Sequence, residues 1–248
     1  MKKIILFLLT INSLTIMAQN KVKLQWLGHA AFYIESPNGT KILIDPWITK
    51  NPNTPENLKN LDLYHPDVII VSHSHADHVG DALTIAKSKN VKIISARMTA
   101  VYSEKELPES LQTIINVGGM IEIGDVKISA VPAMHSSDFG GRPIGIILQF
   151  SNGETIYHTG DTWIFGDMAL IEEFYKPSII LLTVGGGAFV QDTKTAKAVI
   201  KKYFKPKTII PMHYGEEPFK LASEDEVIEI FKDDKRVLIM KPGETKIF

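Results

Sequence analysis

The chain of 248 residues contains no cysteine. This absence excludes disulfide bonds, a thiolate nucleophile, a cysteine metal ligand and a lipidated N-terminal cysteine. Any metal site in this protein therefore has no thiolate ligand.

A marked excess of one charge is also lacking, since 27 Lys and Arg residues face 28 Asp and Glu residues. No basic run extends beyond short lysine pairs, so a nucleic-acid backbone is not an expected partner. With 44% hydrophobic residues, the chain can bury a full core, and one domain is the expected count.

Long hydrophobic runs are missing as well. The apolar stretch 4–16 contains four polar residues and is shorter than the about 20 residues of a comfortable membrane span. Two lysines precede it and Met17-Ala18-Gln19 follows it, which is the pattern of a secretory signal. We expect 1–18 to be a signal peptide and 19–248 the mature, periplasmic or secreted domain without a stable membrane span. An uncleaved anchor is the minority alternative.

The segment from His73 to His78 reads His-Ser-His-Ala-Asp-His and directly follows the apolar run 67–72. Three imidazoles and one carboxylate form a donor set that zinc and similar divalent cations accept, and they can supply more than one ion. The alternative is a solvated polar turn whose histidines cap the following helix. Chance placement is a poor explanation of so dense a pattern.

The hydrophobic pattern predicts three antiparallel strands at the start of the domain. Strands and helices then alternate along the rest of the chain. The opening strands are predicted at 22–27, 31–35 and 40–45. Further strands are predicted before residue 72 and at 92–95, 126–132, 144–150, 155–159, 178–183, 208–211 and 237–240, with helices at 79–88, 167–175, 193–204 and 223–231. Several strands are apolar on both faces while the helices are amphipathic, which favours two packed sheets with helices outside.

Three further polar residues stand just past predicted strand ends: His135, Asp161 and His213. Strands of neighbouring sheets can converge at one edge, so these side chains can join those of the histidine-rich segment. The sequence thus predicts one cluster of five histidines and two aspartates.

The pattern His73-x-His75-x-Asp77-His78, followed by His135, Asp161 and His213, resembles the dinuclear metal site of the metallo-β-lactamase superfamily. Four shorter motifs are similar to a branch of metal-dependent hydrolases related to ascorbate-6-phosphate lactonases and N-acylphosphatidylethanolamine phospholipases. These motifs are Trp-Leu-Gly-His-Ala at 26–30, Leu-Ile-Asp-Pro-Trp at 43–47, His-Thr-Gly-Asp-Thr at 158–162 and Pro-Met-His-Tyr at 211–214. The resemblance implies an α/β (α+β) fold, a four-layer αββα sandwich of two mixed sheets with helices outside.

The same resemblance assigns His73, His75 and His135 to a first metal ion. It assigns Asp77, His78 and His213 to a second ion and makes Asp161 the bridge, so Asp77 and Asp161 are the expected catalytic carboxylates. A carboxylate can span two ions about 3.5 to 4 Å apart, whereas an imidazole cannot. The expected cofactors are two divalent ions, zinc first, with manganese or iron also compatible.

Two residues of the shorter motifs have alternative interpretations. The resemblance implies that Asp45 is not a ligand itself but hydrogen-bonds to a ligand imidazole and orients it. The alternative is that Asp45 simply forms an Asx turn into Pro46. His29 is either a satisfied turn or core residue or a neighbour of the metals. His158 is expected to have a hydrogen-bonded structural role.

The expected function is an exported dinuclear hydrolase that cleaves an ester, lactone or amide bond of a small-molecule substrate by attack of a metal-bridging hydroxide. One alternative is a metal-dependent phosphodiesterase, and another is a non-catalytic metal-binding module on the same fold. The missing cysteine excludes the class B1 β-lactamases, which use one as a ligand. The related lactonases make a homo-oligomer a plausible assembly.

Overall fold

The computed structural model describes residues 21–97, 107–138, 140–215 and 217–248. The predicted signal peptide therefore lies outside the described residues. Among those described, none of the helices has both the length and the apolar character needed to cross a bilayer.

The described chain forms two β-sheets and a set of short helices. Its strands are β1 Lys23–Gly28, β2 Ala31–Glu35, β3 Lys41–Ile44, β4 Val68–Val71, β5 Lys92–Ser95, β6 Gln112–Ile114, β7 Met120–Ile123, β8 Val126–Pro132, β9 Ile144–Phe150, β10 Thr155–His158, β11 Ile179–Thr183, β12 Thr208–Met212 and β13 Thr245–Ile247. Its α-helices are α1 Ala76–Val79, α2 Ala82–Lys89, α3 Met168–Tyr175, α4 Thr193–Tyr203 and α5 Glu224–Phe231.

Both sheets are mixed. The first has the order β13-β1-β2-β3-β4-β5-β6, antiparallel from β13 to β3 and parallel from β3 to β6. The second has the order β12-β11-β10-β9-β8-β7, parallel over its first three strands and antiparallel beyond them. The predicted two mixed sheets and the α/β class are confirmed.

The inner faces of the sheets pack on each other, because successive side chains of a strand point to opposite faces. On β4, Ile70 joins Ile146 of the second sheet in one continuous buried core. Its neighbours Ile69 and Val71 point outward and pack with Leu83 of α2 in a second cluster. Strands buried on both faces explain why their sequences lack polar alternation.

Helices α3, α4 and α5 cover the outer face of the second sheet with their apolar sides. Ile171, Val199 and Val227 are buried, one from each helix. The start of α5 shows the first half of a capping box, since the Ser223 side chain accepts a hydrogen bond from the backbone N–H of Glu226.

Two predicted elements differ from the structure. The helix predicted at 79–88 begins earlier and is two helices, α1 and α2, separated at Gly80, whose φ is 41°. The strand predicted at 237–240 is a single bridge from Val237 to Ile209. The chain then leaves this sheet for the other one, where Gly243 N–H donates to the Trp26 carbonyl at 2.6 Å.

Gly80 lets α1 pack against the loop after β3. A Cβ at this position would lie 2.5 Å from both the Pro46 oxygen and the Trp47 Cα, which are backbone atoms that cannot rotate away. Gly80→Ala should therefore lower the free energy of unfolding by about 2 kcal/mol or more, measured by urea denaturation.

Gly39→Ala is the matched control, because Gly39 also has a positive φ of 93° but no atom of the described residues lies within 4 Å of its added Cβ. Backbone strain alone should then cost about 1 kcal/mol. Equal destabilisation by the two substitutions would contradict a packing role for Gly80.

Candidate metal centre

Four strands from both sheets carry candidate ligands just past their ends. His73 and His75 follow β4 of the first sheet, and α1 contributes Asp77 and His78 immediately afterwards. The second sheet contributes His135 after β8, Asp161 after β10 and His213 after β12. All seven residues predicted as ligands meet in one cluster at this edge of the sandwich.

The first group of donors consists of three imidazole nitrogens. His75 Nδ1 lies 2.8 Å from His73 Nε2 and 3.2 Å from His135 Nε2. The three nitrogens all lie within 4.8 Å of one another, close enough to hold a single ion.

The second group combines a carboxylate with two imidazoles. Asp77 Oδ2 lies 3.7 Å from His78 Nε2 and 3.7 Å from His213 Nε2. The mixture of two nitrogens and a carboxylate oxygen suits zinc, manganese or iron.

Asp161 stands between the two groups. Its Oδ2 lies 3.9 Å from His73 Nε2 and 3.6 Å from His135 Nε2 on one side. On the other side it lies 3.2 Å from His78 Nε2 and 3.0 Å from His213 Nε2. One oxygen atom therefore reaches the imidazoles of both groups, as a bridging ligand must.

Several buried polar atoms here fit a cation rather than hydrogen bonding. His78 Nε2, His213 Nε2 and Asp161 Oδ1 are buried and have no hydrogen-bond partner among the described residues. The two nitrogens lie close to Asp161 Oδ2, but not in hydrogen-bond geometry. Leaving polar atoms buried without a partner is costly, whereas metal coordination satisfies them.

The carboxylates and imidazoles shift each other's pKa values strongly. Burial alone would raise the pKa of Asp161, but the neighbouring His213 and His78 lower it well below its usual value. Burial alone would lower the pKa of His213, but the Asp161 carboxylate raises it to about 9. Protons and a cation therefore compete for the same imidazole nitrogens.

Asp45 supports the cluster from behind. Its Oδ2 accepts a hydrogen bond from His78 Nδ1 at 2.8 Å, and the Ser72 backbone N–H donates to its Oδ1 at 2.7 Å. The Ser72 hydroxyl donates to Oδ2 at 2.6 Å. A proton held on Nδ1 leaves Nε2 of His78 free to face Asp161, so the expected orienting contact is present.

His29 lies inside the cluster rather than in a remote turn. Its Nε2 is 2.9 Å from Asp77 Oδ2, and its ring centroid is 3.7 Å from that of His213. Burial, with His213 as the next cause, lowers the pKa of His29 to about 4, so the ring is neutral at pH 7. A neutral ring with its proton on Nε2 donates to Asp77 and fixes that carboxylate.

Comparisons with known proteins agree with this geometry. The model of the beta-lactamase superfamily domain matches residues 23–213. A "UPF0173 metal-dependent hydrolase" of Anaeromyxobacter dehalogenans is 39% identical over 91% of this chain and 86% of its own length. Another of the same name, from Pyrococcus abyssi, is 40% identical over 90% of this chain and 98% of its own.

Among solved structures, Igni18, a metallo hydrolase from Ignicoccus hospitalis, superposes with a TM-score of 0.80 at 33% identity. The match covers 92% of this chain and 98% of Igni18. The chain belongs to the beta-lactamase superfamily, and it is a metal-dependent hydrolase. Within this superfamily member, the histidine and aspartate cluster is the site that could bind the metal.

Two further features of this beta-lactamase superfamily member lie near the cluster, and the first, at His158, matches the expectation from the sequence. His158 is buried, its Nε2 lies 3.0 Å from the Ala30 carbonyl and its Nδ1 accepts from the Gly160 N–H, as a structural residue should. Gly185 packs on the His213 backbone so closely that a Cβ would collide with its carbonyl. The glycine run after β11 therefore allows a close approach to a candidate ligand.

Sequence reasoning missed the residues that surround the metal cluster in this superfamily member. Ser72 could have been recognised as a hydroxyl between a buried strand and the histidine-rich segment. Ser136 and Asp138 gave no pattern, yet Ser136 Oγ lies 3.3 Å and Asp138 Oδ1 3.7 Å from His75 Nε2. Above the cluster is a cavity of about 450 Å³, also lined by Trp47, Phe189 and Phe219.

Asp45 should control metal affinity through His78. Asp45→Asn keeps the size of the side chain but removes the charge that holds the Nδ1 proton. We expect zinc to bind about ten- to a hundredfold more weakly, measured by competition with a chelator of known affinity.

Asp62→Asn is the control, because Asp62 is 85% exposed and pairs with Lys89 on the surface. It should leave zinc affinity unchanged. Wild-type affinity in Asp45→Asn, with folding verified by circular dichroism, would exclude the orienting role.

Proposed function

We propose that this protein hydrolyses an ester, lactone or amide bond of a small molecule at a centre of two divalent cations, with zinc as the first candidate. The observation that carries this proposal is the position of Asp161 Oδ2, within 3.9 Å of imidazole nitrogens from both donor groups. Bound cations would supply acidification of a water molecule and polarisation of the substrate's carbonyl oxygen.

The residues of the cluster have two roles: some would hold the cations, and others orient the ligand side chains. His73, His75 and His135 would hold one cation, and Asp77, His78 and His213 the other, with Asp161 shared. Asp45 and Ser72 keep the proton of His78 on Nδ1, while His29 donates to Asp77. These contacts fix the ligand atoms in advance, so little reorganisation accompanies the reaction.

The reaction needs no oxidant or further co-reactant. The oxygen of water forms a new bond to the acyl carbon, the bond from that carbon to the leaving oxygen or nitrogen breaks, and the leaving group takes a proton. The products are a carboxylic acid and an alcohol or amine, or a hydroxy acid where the substrate is a lactone.

Asp161→Ala tests the shared carboxylate. The wild-type protein should bind two equivalents of zinc and the variant one or fewer, measured by elemental analysis after desalting. The kcat/KM for a responsive ester or lactone should fall about a thousandfold or more, because both the metal and its orientation are lost.

Asp167→Ala serves as the control, since Asp167 is exposed and, within the described part of the chain, its side chain makes no capping hydrogen bond. Two zinc equivalents retained by Asp161→Ala would refute the shared role. The assay panel contains lactones, acyl esters, β-lactams and bis-p-nitrophenyl phosphate. Turnover of the phosphate diester alone would favour a phosphodiesterase, and turnover of none by metal-loaded protein would favour a binding module.

We also propose that the protein is exported, on the strength of the N-terminal sequence pattern. Mass spectrometry of protein from its native cells should then find a mature chain beginning at Gln19, in the periplasm or medium. Protein that still begins near Met1 would refute cleavage.

A further inference from the structure

The cavity above the metal cluster has one aromatic side. Trp47, Phe189 and Phe219 line it together, and we call these three residues the aromatic wall. The ring centroids of Trp47 and Phe219 are 5.8 Å apart, and those of Phe219 and Phe189 are 5.6 Å apart. The first contact is tilted and the second is edge-to-face. Edge-to-face and offset contacts with centroids about 4.5 to 7 Å apart are favourable between aromatic rings.

The wall is attached to the metal cluster at its inner end. The Trp47 ring meets the His29 ring edge-on at 5.1 Å, and the Phe219 ring lies 5.7 Å from it. His29 in turn contacts Asp77, one of the candidate ligands. A group lying on the wall would therefore be part of a molecule whose other end reaches the cluster.

The inner part of the wall is held rigidly. The Trp47 backbone N–H donates to the Asp45 carbonyl at 2.7 Å, and the next two backbone N–H groups donate to Asp81 Oδ2 at 2.9 and 2.8 Å. Phe189, by contrast, is 51% exposed. A half-exposed apolar ring at the mouth of a pocket offers surface that a ligand can bury.

Another part of the cavity lining is polar and acidic. It is formed by His75, Ser136 and Asp138, and the Asp138 side chain is 61% exposed. Among the described residues that line the cavity there is no lysine or arginine. Among these described lining residues, a remote anionic group on a substrate would therefore meet a carboxylate but no cationic side chain to pair with it.

We propose that the aromatic wall selects the substrate, which is an ester or lactone carrying an uncharged aryl group or a similarly flat apolar group. This inference rests on the proposed hydrolysis of carbonyl compounds and deepens it. The scissile carbonyl lies at the metal cluster, the apolar group lies against Trp47 and Phe219, and Phe189 covers its outer edge. Substrates with a carboxylate or phosphate in place of the apolar group are disfavoured.

Matched esters test the selection on zinc-loaded protein. Methyl 4-phenylbutanoate carries the ring, methyl butanoate lacks it, and monomethyl glutarate carries a carboxylate instead. The kcat/KM of the phenyl ester should exceed that of methyl butanoate about tenfold, mainly through a lower KM, because the ring buries apolar area. The charged ester should be the poorest of the three.

Phe219→Ala and Phe189→Ala should reduce the preference for the phenyl ester at least about threefold, as the apolar contact area shrinks. Phe189→Ala removes an exposed side chain, so it tests the wall even if Phe219→Ala fails to fold. Phe174→Ala is the matched control, since this phenylalanine is 70% exposed on α3 and does not line the cavity. It should keep the full preference.

A binding measurement separates this inference from the proposed function. Isothermal titration calorimetry compares 4-phenylbutan-2-one with butan-2-one, two neutral ketones that cannot be hydrolysed, on the zinc-loaded protein. One outcome is that the phenyl ketone binds, Phe189→Ala weakens this binding, and no ester is turned over. That outcome would refute the proposed hydrolysis but support substrate selection by the aromatic wall. Ester turnover with no advantage for the phenyl group, or with preference for monomethyl glutarate, would overturn the wall.

Discussion

The site depends on one interaction, the contact of the Asp161 carboxylate with four imidazoles. Asp161 is 2% exposed, and a carboxylate buried so deeply is stable only when positive charge or coordinated metal compensates it. Its partners come from both sheets, since His73 and His78 follow β4 while His135 and His213 follow β8 and β12. The cluster therefore forms only when the two sheets pack on each other. A shift of one sheet relative to the other would separate the donor groups.

The backbone near the cluster carries strain that the fold has to support. His29, Asp45 and His213 all adopt a positive φ, at 53°, 43° and 58°, which is unfavourable for residues other than glycine. Hydrogen bonds hold each in place: the His213 N–H donates to the His29 carbonyl at 3.1 Å, and the Asp45 N–H donates to the Ile70 carbonyl at 3.0 Å. These turns aim three polar side chains toward the cluster directly past their strands.

The candidate ligands could be predicted from the sequence because each follows a strongly apolar strand, and strand ends are where a sandwich gathers side chains. Four of the candidate ligands also lie within the six residues from His73 to His78, so a single turn brings all four to the cluster. The edge strands β6, β7 and β13 escaped prediction because they are three or four residues long and none of their residues is fully buried. Asp138 and Phe219 also escaped, since their positions depend on loop contacts between residues far apart in the chain.

Strand ends and loops thus have separate tasks in this molecule. The strand ends carry the donor atoms, whose geometry would set what bond can be cleaved, and their positions are constrained by the packed core beneath. Trp47 and Phe219 stand on loops after β3 and β12, and Phe189 stands on the loop after β11. Loops tolerate substitution better than buried strands. Phe189 contacts Phe219 and is half exposed, whereas Trp47 and Phe219 pack on His29 beside the cluster. Replacing Phe189 would therefore change which molecule is accepted while Asp161 and its imidazoles are retained.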